Sequence, residues 1–349
     1  MDQALSEWMK GGGPESDIVI SSRIRLARNV QSYPFPMLAT NHQSEEVMNL
    51  AKKVADDEEF QEVASFEWLP LSEMNDLQRR VFVEKHLISP NLANDSRNGA
   101  VILSDNEAIS IMVNEEDHLR IQCLYPGLQI KEAWALANQM DDLFEAQMNY
   151  AFDEQRGFLT SCPTNVGTGL RASVMLHLPA LVLTQQINRI LSAVNQVGLA
   201  VRGIYGEGTE ALGNLFQVSN QITLGQSEEE IMDNLHSVVK QIIEHERAAR
   251  TKLMSESKNR IMDRVQRSYG ILAHAHIIDS KEASQRLSDL RLGIDLALIQ
   301  GVAACSYNEL MVMTQPGFLQ QYSGTQLSPE ERDMRRAQMI RERIGSTPG

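Results

Sequence analysis

The feature that most constrains this chain is an alternating segment, residues 170–178, which follows the turn-rich stretch TSCPTNVGTG. Strict alternation of apolar residues with other residues predicts a strand that buries one face of a sheet. The opposite face of this strand carries Arg171, Ser173, Met175 and His177. Because Pro, Asn and Gly supply turn chemistry just before the strand, we expect the thiol of Cys162 to lie beside the guanidinium of Arg171.

A second alternating segment, DIVISSRIRLAR at residues 17–28, places Arg23 and Arg25 on one strand face. Two guanidinium groups on one face repel each other unless an anion lies between them, and a phosphate suits that role. A solvated basic strand at the edge of the sheet explains the pattern equally well. Both interpretations stay open from this segment alone.

Three consecutive acidic residues follow a predicted β-hairpin. The apolar segments 100–103 and 108–113 are joined by Ser-Asp-Asn-Glu, and NEEDHLR at residues 114–120 comes directly after them. Like charges at a strand end are costly to place together. The segment is therefore either ordinary surface or a polar site that contains Glu116, His118 and Arg120. Farther upstream, a lone His86 is more often structural than functional.

The order of predicted elements divides the chain near residue 250. Residues 1–250 mix helices with antiparallel strands, whereas strand signals almost vanish over residues 251–349. This order predicts an α+β domain, with an antiparallel sheet flanked by helices, followed by an all-α domain. The charged segment 244–250 is the expected boundary. The first part has a net charge of −16 and the second +2, which argues against direct nucleic-acid binding by the first part.

A glycine-rich segment covers residues 203–213 and predicts a mobile loop. It contains neither a G-x-x-x-x-G-K-[ST] pattern nor a complete G-x-G-x-x-G pattern, so its glycines alone do not argue for nucleotide binding. We also hypothesise that Asp141, Asp142 and Glu210 form an exposed acidic surface that selects basic substrates.

A final helix is predicted after Ser328, with Pro at its first position and Glu at its third. Arg332 and Arg336 lie four residues apart on one face of this helix, with Asp333 beside them. The three residues form either an anion site or a solvated charged face. Without further information the solvated face is favoured.

No apolar run approaches the roughly 20 residues needed to cross a bilayer, and the first residues lack a basic signal region. The expected location is therefore the cytoplasm, without membrane contact. Three widely spaced cysteines, Cys123, Cys162 and Cys305, predict neither a disulfide framework nor a zinc knuckle.

The segments SSRIR, NEEDHLR, CPTNVGT, RAS and RGIYGE follow one another along the first 210 residues. In these segments the chain resembles the ATP:guanido phosphotransferases, or phosphagen kinases, whose members carry CPTN-x-GT followed by RAS. Within that family it is most similar to the bacterial protein arginine kinases, which share the RD-x-x-RA segment found here at residues 332–337. Two departures count against a free amino acid as substrate. SSRIR begins at Ser21, without the small helical domain of small-molecule kinases before it, and Met175 replaces their His.

The resemblance implies a role for individual residues. Glu116 would be the catalytic base, Glu207 a second substrate anchor and Cys162 an orienting group. Arg332, Asp333 and Arg336 would bind phosphoarginine allosterically. The nucleotide-binding positions of the family correspond here to Ser22, Arg23, Ile24, Arg25, Leu26, His86, Arg120, Arg171, Ala172, Ser173, Val174, Met175, Arg202, Gly203, Ile204, Tyr205 and Gly206.

The resemblance also implies a catalytic domain of the phosphagen-kinase or glutamine-synthetase-like fold at residues 1–250. Residues 251–349 would form a helical domain for phosphoarginine binding and homodimerisation. ATP and Mg²⁺ are the implied cofactors, with no metal ligands of the protein assigned. The implied partners are protein substrates with exposed arginines, the activator McsA, the repressor CtsR and the ClpC-ClpP protease. Two alternatives stay open: a kinase for free arginine, and a non-catalytic adaptor that binds phosphoarginine.

Overall fold

A computed structural model of the chain describes residues 6–94, 98–203 and 211–345. Within these ranges the strands form an eight-stranded antiparallel sheet in the order β2-β3-β4-β5-β1-β8-β10-β9 and a separate hairpin, β6-β7. The predicted antiparallel α+β arrangement is confirmed. The strands are β1 (Val19–Arg28), β2 (Phe66–Pro70), β3 (Ala100–Ser104), β4 (Ile109–Val113), β5 (Leu119–Pro126), β6 (Phe152–Asp153), β7 (Gly157–Phe158), β8 (Leu170–His177), β9 (Leu199–Gly203) and β10 (Leu215–Asn220).

Helices pack around this sheet, and those after residue 228 follow one another without a further strand in the described residues. The apolar periodicity of residues 178–197 predicts one helix, but the structure has two helices there, and the strand that the sequence predicts over residues 215–224 ends at Asn220. The helices are α1 (Asn41–Ala55), α2 (Glu58–Val63), α3 (Asp76–Glu84), α4 (Pro90–Asn94), α5 (Ile130–Glu145), α6 (Pro179–Leu183), α7 (Ile187–Gln196), α8 (Glu228–Glu256), α9 (Lys258–His274), α10 (Ser280–Asp295), α11 (Cys305–Met313), α12 (Pro316–Ser323) and α13 (Pro329–Gly345).

The alternation of β1 and β8 decides which face of the sheet is buried. Ile24 and Leu26 of β1, with Ala172 and Val174 of β8, are fully buried in the main core. Apolar side chains of α5 and α8 cover this face in the same core. Because successive side chains of a strand point to opposite faces, the arginines of both strands are placed on the other face.

The C-terminal helices pack on one end of that other face. Leu124 of β5 and Met175 of β8 belong to a second buried cluster, together with apolar residues of α9, α10, α11 and α13. Glu84, at the end of α3, accepts hydrogen bonds from the amides of Gly317 (2.7 Å) and Phe318 (2.8 Å) in the first turn of α12. The helical part of the chain is therefore attached directly to the sheet.

Helix α8 runs without a break through the predicted boundary at residue 250. In its last turns Glu246 is fully buried and accepts hydrogen bonds from the amides of Ala180 and Leu181 in α6 and from Arg250. Arg250 also donates to the carbonyl of Asp17. The division of the chain at residue 250 stays a prediction.

None of the helices in the described residues is long and apolar enough to cross a bilayer.

Asp141 does not belong to the hypothesised exposed acidic surface, because it is buried in an ion pair with Arg28, whereas Asp142 is exposed. The Nε of Arg28 lies 2.9 Å and its Nη2 2.6 Å from Oδ2 of Asp141, and its Nη1 donates to the carbonyl of Thr168. The guanidinium carbon also lies 3.6 Å from the ring centre of Phe158. This pair joins β1, α5 and the segment that leads into β8. Glu210, the third residue of the hypothesis, lies outside the described residues.

We predict that Arg28→Met lowers the free energy of unfolding by about 3–5 kcal/mol, because it leaves the Asp141 carboxylate buried without its partner. Urea unfolding followed by circular dichroism measures this change. The matched control is Lys52→Met, which removes an exposed pair with Asp56 and should cost under about 1 kcal/mol. Equal shifts in the two variants would contradict the structural role of the buried pair.

Candidate active site

Five arginines lie on one face of the sheet, on four of the five neighbouring strands β5-β1-β8-β10-β9. Arg25 of β1 lies directly opposite Arg171 of β8, and Arg23 lies opposite Ser173 in the same pairing. Arg120 of β5 faces Ala27. On the far side, Arg202 of β9 pairs with Gln217 of β10, which in turn pairs with Met175 of β8. The register of the strands therefore builds the cluster from positions far apart in sequence.

Burial and mutual repulsion shift the pKa values of two of these arginines. Burial and the neighbouring charges of Arg23, Arg120 and Arg171 hold the pKa of Arg25 well below its usual range. Burial and Arg202 lower the pKa of Arg171 in the same direction. The Nε of Arg25 is buried and has no hydrogen-bond partner among the residues that the structure describes. Guanidinium groups held this close, with a donor unsatisfied, form a site for an anion with several oxygens, such as a polyphosphate.

Two carboxylates border the arginine cluster at the start of β5. The side chain of Glu115 is buried, accepts a hydrogen bond from Ser89 (2.6 Å) and pairs with Arg120 at 2.8 Å. Glu116 pairs with the same Nη2 of Arg120 at 2.9 Å, but its side chain is 37% exposed. Glu116 is therefore the carboxylate of the two that an incoming substrate can reach.

The next two residues of this segment, Asp117 and His118, hold neighbouring loops in place through hydrogen bonds. Asp117 is fully buried, and its Oδ1 accepts from the side chain of Asn29 and from the amide of Ser161, both at 2.7 Å. The Nδ1 of His118 accepts from the amide of Val30 at 3.0 Å, while its other ring nitrogen lies 3.0 Å from the carbonyl oxygen of Pro34. Asp117 thus connects the Glu116 segment to the residue just before Cys162.

Cys162 lies at the start of a short turn that the sequence CPTN forms. Its Sγ lies 3.0 Å from Oγ1 of Thr164. The Nη2 of Arg171 lies 3.5 Å from Oδ1 of Asn165 in the same turn. Arg171 therefore contacts the turn that carries Cys162, and a direct contact between the thiol and the guanidinium stays a prediction.

His86 lies at the opposite end of the cluster. Its backbone is left-handed, with φ +62°, and its ring lies 5.6 Å from that of Trp8. Burial, with the nearby charge of Arg23, lowers its pKa to about 3, so the ring is neutral. Together with Ser21, Arg23, Leu124, Ser173, Met175 and Gln217 it lines a small cleft.

Several predicted site residues do not face the cluster with their side chains. Ile24, Leu26, Ala172 and Val174 are buried in the core on the opposite face. Ser22 is also buried there, and its hydroxyl donates to the carbonyl of Gly127 and accepts from the amide of Gln129. Gly203 ends β9 beside Arg202. The predicted positions Ile204, Tyr205, Gly206 and Glu207 lie outside the described residues, as does most of the predicted glycine-rich loop.

The structure adds site residues that sequence reasoning did not single out. Gln217 accepts a hydrogen bond from Arg23 at 2.9 Å. Its position in the alternating segment LFQVSN indicates that its side chain lies on the non-core face of a strand. Glu115 belonged to the acidic segment but was given no separate role. Asn29 and Thr223 act through hydrogen bonds to other loops, and nothing in their local sequence marks them.

The three residues of the predicted tail site have unequal exposure. Arg336 is 2% exposed, and its guanidinium donates to the carbonyls of Thr314 and Ile278, both at 2.9 Å, and to Asp333. Arg332 is only partly buried and lies 3.4 Å from the carbonyl of Leu327. Arg336 therefore has a packing role between α13, α11 and the segment before α10, and a ligand role for the three residues stays a prediction.

Comparison with known proteins identifies the family of this fold and site. The model of the ATP:guanido phosphotransferase C-terminal catalytic domain matches residues 45–249. The chain belongs to the ATP:guanido phosphotransferase family. A second model, the C-terminal domain of the protein-arginine kinase McsB, matches residues 258–349. The resemblance drawn from the sequence segments is confirmed, and as a member of this family the chain is an ATP-utilising phosphotransferase.

Whole-chain relatives support the same assignment. A protein-arginine kinase of Halalkalibacterium halodurans is 62% identical and one of Brevibacillus brevis 60% identical, each over 99% of this chain and 96% of its own length. Among solved structures, a lombricine kinase shares 26% identity with a TM-score of 0.58, covering 68% of each chain. The duplicated taurocyamine kinase of Schistosoma mansoni shares the fold, with 22% identity, a TM-score of 0.58 and coverage of 76% of this chain and 39% of its own.

We predict that Arg25→Met removes phosphotransfer activity and raises stability. If the cluster binds the phosphates of ATP, loss of one guanidinium should lower kcat/KM for ATP at least 10²-fold. Relief of repulsion among buried like charges should raise the free energy of unfolding by about 1 kcal/mol or more. Steady-state kinetics and urea unfolding measure the two effects. Arg189→Met, at an exposed position on α7, is the control and should change neither; a destabilised Arg25 variant would contradict the prediction.

The buried histidines predict acid sensitivity. Burial lowers the pKa of His118 to about 4, so the unfolded chain binds a proton below pH 6.5 that the folded chain does not bind until about pH 4. The contribution of His118 to the free energy of unfolding is therefore fully present above pH 6.5. It decreases as the pH is lowered through this window, by about 2 kcal/mol between pH 6.5 and 5. Urea unfolding at pH 7 and pH 5 measures this loss. The loss should be smaller in His118→Gln, and an unchanged pH dependence would contradict the assignment.

Proposed function

We propose that the protein is a protein-arginine kinase, which transfers the γ-phosphate of ATP to arginine side chains of proteins. The observation that carries the proposal is the position of Glu116. It is an exposed carboxylate at the border of a cluster of arginines suited to polyphosphate, with Asp117 connecting its segment to Cys162. The high identity to proteins named protein-arginine kinase over nearly their whole length supports the choice of acceptor.

In this proposal the arginine cluster binds the phosphates of ATP. Phosphoryl transfer requires an in-line arrangement of attacking and leaving atoms and neutralisation of the phosphate oxygens. Planar guanidinium groups fixed on strands perform the second task without reorganisation. Mg²⁺ would enter with ATP, since this ion keeps several waters and binds mainly substrate phosphates. No group of three potential metal-ligating side chains occurs in the described residues.

The acceptor guanidinium is a poor nucleophile, because its pKa exceeds about 12 and it is protonated. A carboxylate that holds it and takes its proton makes a nitrogen lone pair available. Glu116 is assigned this role. A bond forms between this nitrogen and the γ-phosphorus as the bond from phosphorus to the bridging oxygen of ADP breaks, and the proton passes to Glu116. Cys162 would orient the acceptor, and Glu207 would be a second anchor.

The two alternatives are weaker on the same observations. A kinase for free arginine needs the same chemistry, but the relatives that match the whole chain are named for protein arginine. A non-catalytic adaptor that binds phosphoarginine through α13 does not need Glu116 beside Arg120, nor an arginine cluster with an unsatisfied donor.

Further parts of the proposal follow from the family resemblance. We include a cytoplasmic location, a homodimer formed through the C-terminal helices, and allosteric phosphoarginine binding by Arg332, Asp333 and Arg336. McsA is the proposed activator. CtsR is the proposed repressor substrate, inactivated on phosphorylation, and phosphorylated proteins are proposed to pass to ClpC-ClpP in a stress response.

We predict that the protein with Mg-ATP forms acid-labile phosphoarginine on an arginine-rich unfolded protein and little on free L-arginine. Glu116→Gln should lower the rate roughly 10²–10⁴-fold, since the base is lost, while ATP affinity remains. Mass spectrometry under non-acidic conditions detects the product, and calorimetry measures ATP binding.

The matched control is Glu59→Gln, an exposed carboxylate on α2, which should retain full activity. Phosphate mainly on free arginine would support the small-molecule kinase instead. Absence of product on both acceptors, also with an added activator, would leave the adaptor as the better interpretation.

A further inference from the structure

Four large apolar side chains are exposed around the turn that carries Cys162. Phe152 lies in the hairpin β6-β7, Val197 follows α7, and Ile222 and Leu224 follow β10. Their exposed fractions are 55%, 50%, 51% and 55%. A group of exposed apolar residues is unfavourable in water and marks a contact surface. We call these four residues the apolar rim.

Leu224 lies directly against the turn that carries Cys162. Gly167 has φ +115°, and a Cβ at this position would lie 2.4 Å from the carbonyl oxygen of Thr223 and 2.8 Å from Cα of Leu224. Only glycine allows this approach. The hydroxyl of Thr223 lies 3.0 Å from the carbonyl oxygen of Thr164 and 2.7 Å from that of Val166. The segment before Leu224 is thereby fixed to the CPTN turn.

The other members of the rim are connected to the same turn. The ring of Phe152 lies 5.2 Å from that of Phe158, whose amide donates to the carbonyl of Gly167 at 2.8 Å. On the other side, the Cδ1 of Ile222 lies 3.7 Å from where a Cβ of Gly198 would be, next to Val197. The apolar rim therefore lies at the end of the sheet next to the turn that carries Cys162.

We propose that the apolar rim binds apolar side chains of the substrate polypeptide on either side of the arginine that is phosphorylated. This inference rests on the proposed function. A polypeptide whose arginine enters between Glu116 and Cys162 must lay its neighbouring residues on the surface around the turn. A free amino acid has no such residues. The rim is continuous with the turn, so it is the surface that those neighbours reach.

Charge and chemistry favour a particular kind of segment. Residues 1–250 carry a net charge of −16, which complements a cationic segment that contains arginine. Apolar contact is non-directional, so the rim selects for Leu, Ile, Val or Phe near the arginine without requiring a fixed sequence. Folded proteins bury most such residues. The rim therefore favours extended, unfolded segments over folded surfaces.

Two peptides test the proposal with the full-length protein and Mg-ATP. Both have a central arginine and equal net charge; one has Leu and Phe on each side, and the other has Ser and Gly. We expect a KM for the apolar peptide roughly tenfold lower, the effect of burying one or two large side chains, with similar kcat. Initial rates of phosphoarginine formation measure both constants.

The double variant Phe152→Ser with Leu224→Ser should raise the KM of the apolar peptide to that of the Ser/Gly peptide. The kcat of both peptides and the KM for ATP should stay unchanged, which separates loss of contact from general damage. The matched control is Met262→Ser, an exposed apolar residue on α9 (39% exposed), which should leave the preference intact. Thermal unfolding verifies that each variant is folded.

Equal KM values for the two peptides with the unaltered protein would overturn the inference while leaving the kinase proposal intact. So would a double variant that retains the preference. A fall in molar mass of the double variant by light scattering, with the preference retained, would assign the rim to contact between copies of the chain. Phosphorylation of neither peptide, with activity on free arginine, would overturn the proposed function and this inference together.

Discussion

The structure depends on holding like charges together on one face of a sheet. Arg25 and Arg171 lie directly opposite each other on neighbouring strands, an arrangement that is unfavourable in an isolated sheet. The opposite face of the same strands compensates, because Ile24, Leu26 and their partners on β8 are buried beneath α5 and α8. Core packing fixes the strand register, and the register fixes the arginines. The fold thus keeps a cluster of like charges at the expense of local stability, as functional sites often do.

The hydrogen bonds of Asp117 and His118 are a second constraint, because they connect the loops at the end of the sheet where Glu116 and Cys162 lie. Asp117 receives hydrogen bonds from Asn29 after β1 and from Ser161 before Cys162. His118 in turn holds the segment after β1 through both ring nitrogens. Asp117 and His118 of the NEEDH segment therefore have structural roles, and their hydrogen bonds fix the position of the partly exposed Glu116 relative to the turn of Cys162. An error of about 1 Å in such a placement can cost 10²-fold in rate, which explains why buried polar groups are tolerated here.

The C-terminal helices share a sheet face with the arginines. Leu124 and Met175 pack against them, and Glu84 binds the first turn of α12. His86, two residues after Glu84, lines the cleft at the end of the cluster. The helical region and the His86 end of the arginine cluster are thus joined through a short stretch of chain. Buried Arg336 stabilises the helical region from within, which leaves Arg332 and Asp333 as the more accessible residues of that segment.

The sequence by itself determined the strands, their buried faces and the residue types of the site. Alternation placed Arg23, Arg25 and Arg171 on non-core faces, and ordered motifs indicated the family. The sequence predictions were wrong where contacts between distant segments determine the structure. Asp141 was expected on the surface but is buried against Arg28, and residues 178–197 form two helices where one was predicted. Only the register of strands distant in sequence could show that Arg25 faces Arg171, or that Gln217 reaches Arg23. The physical reason is that alternation is a local property of a strand, whereas pairing depends on which strands become neighbours when the core packs.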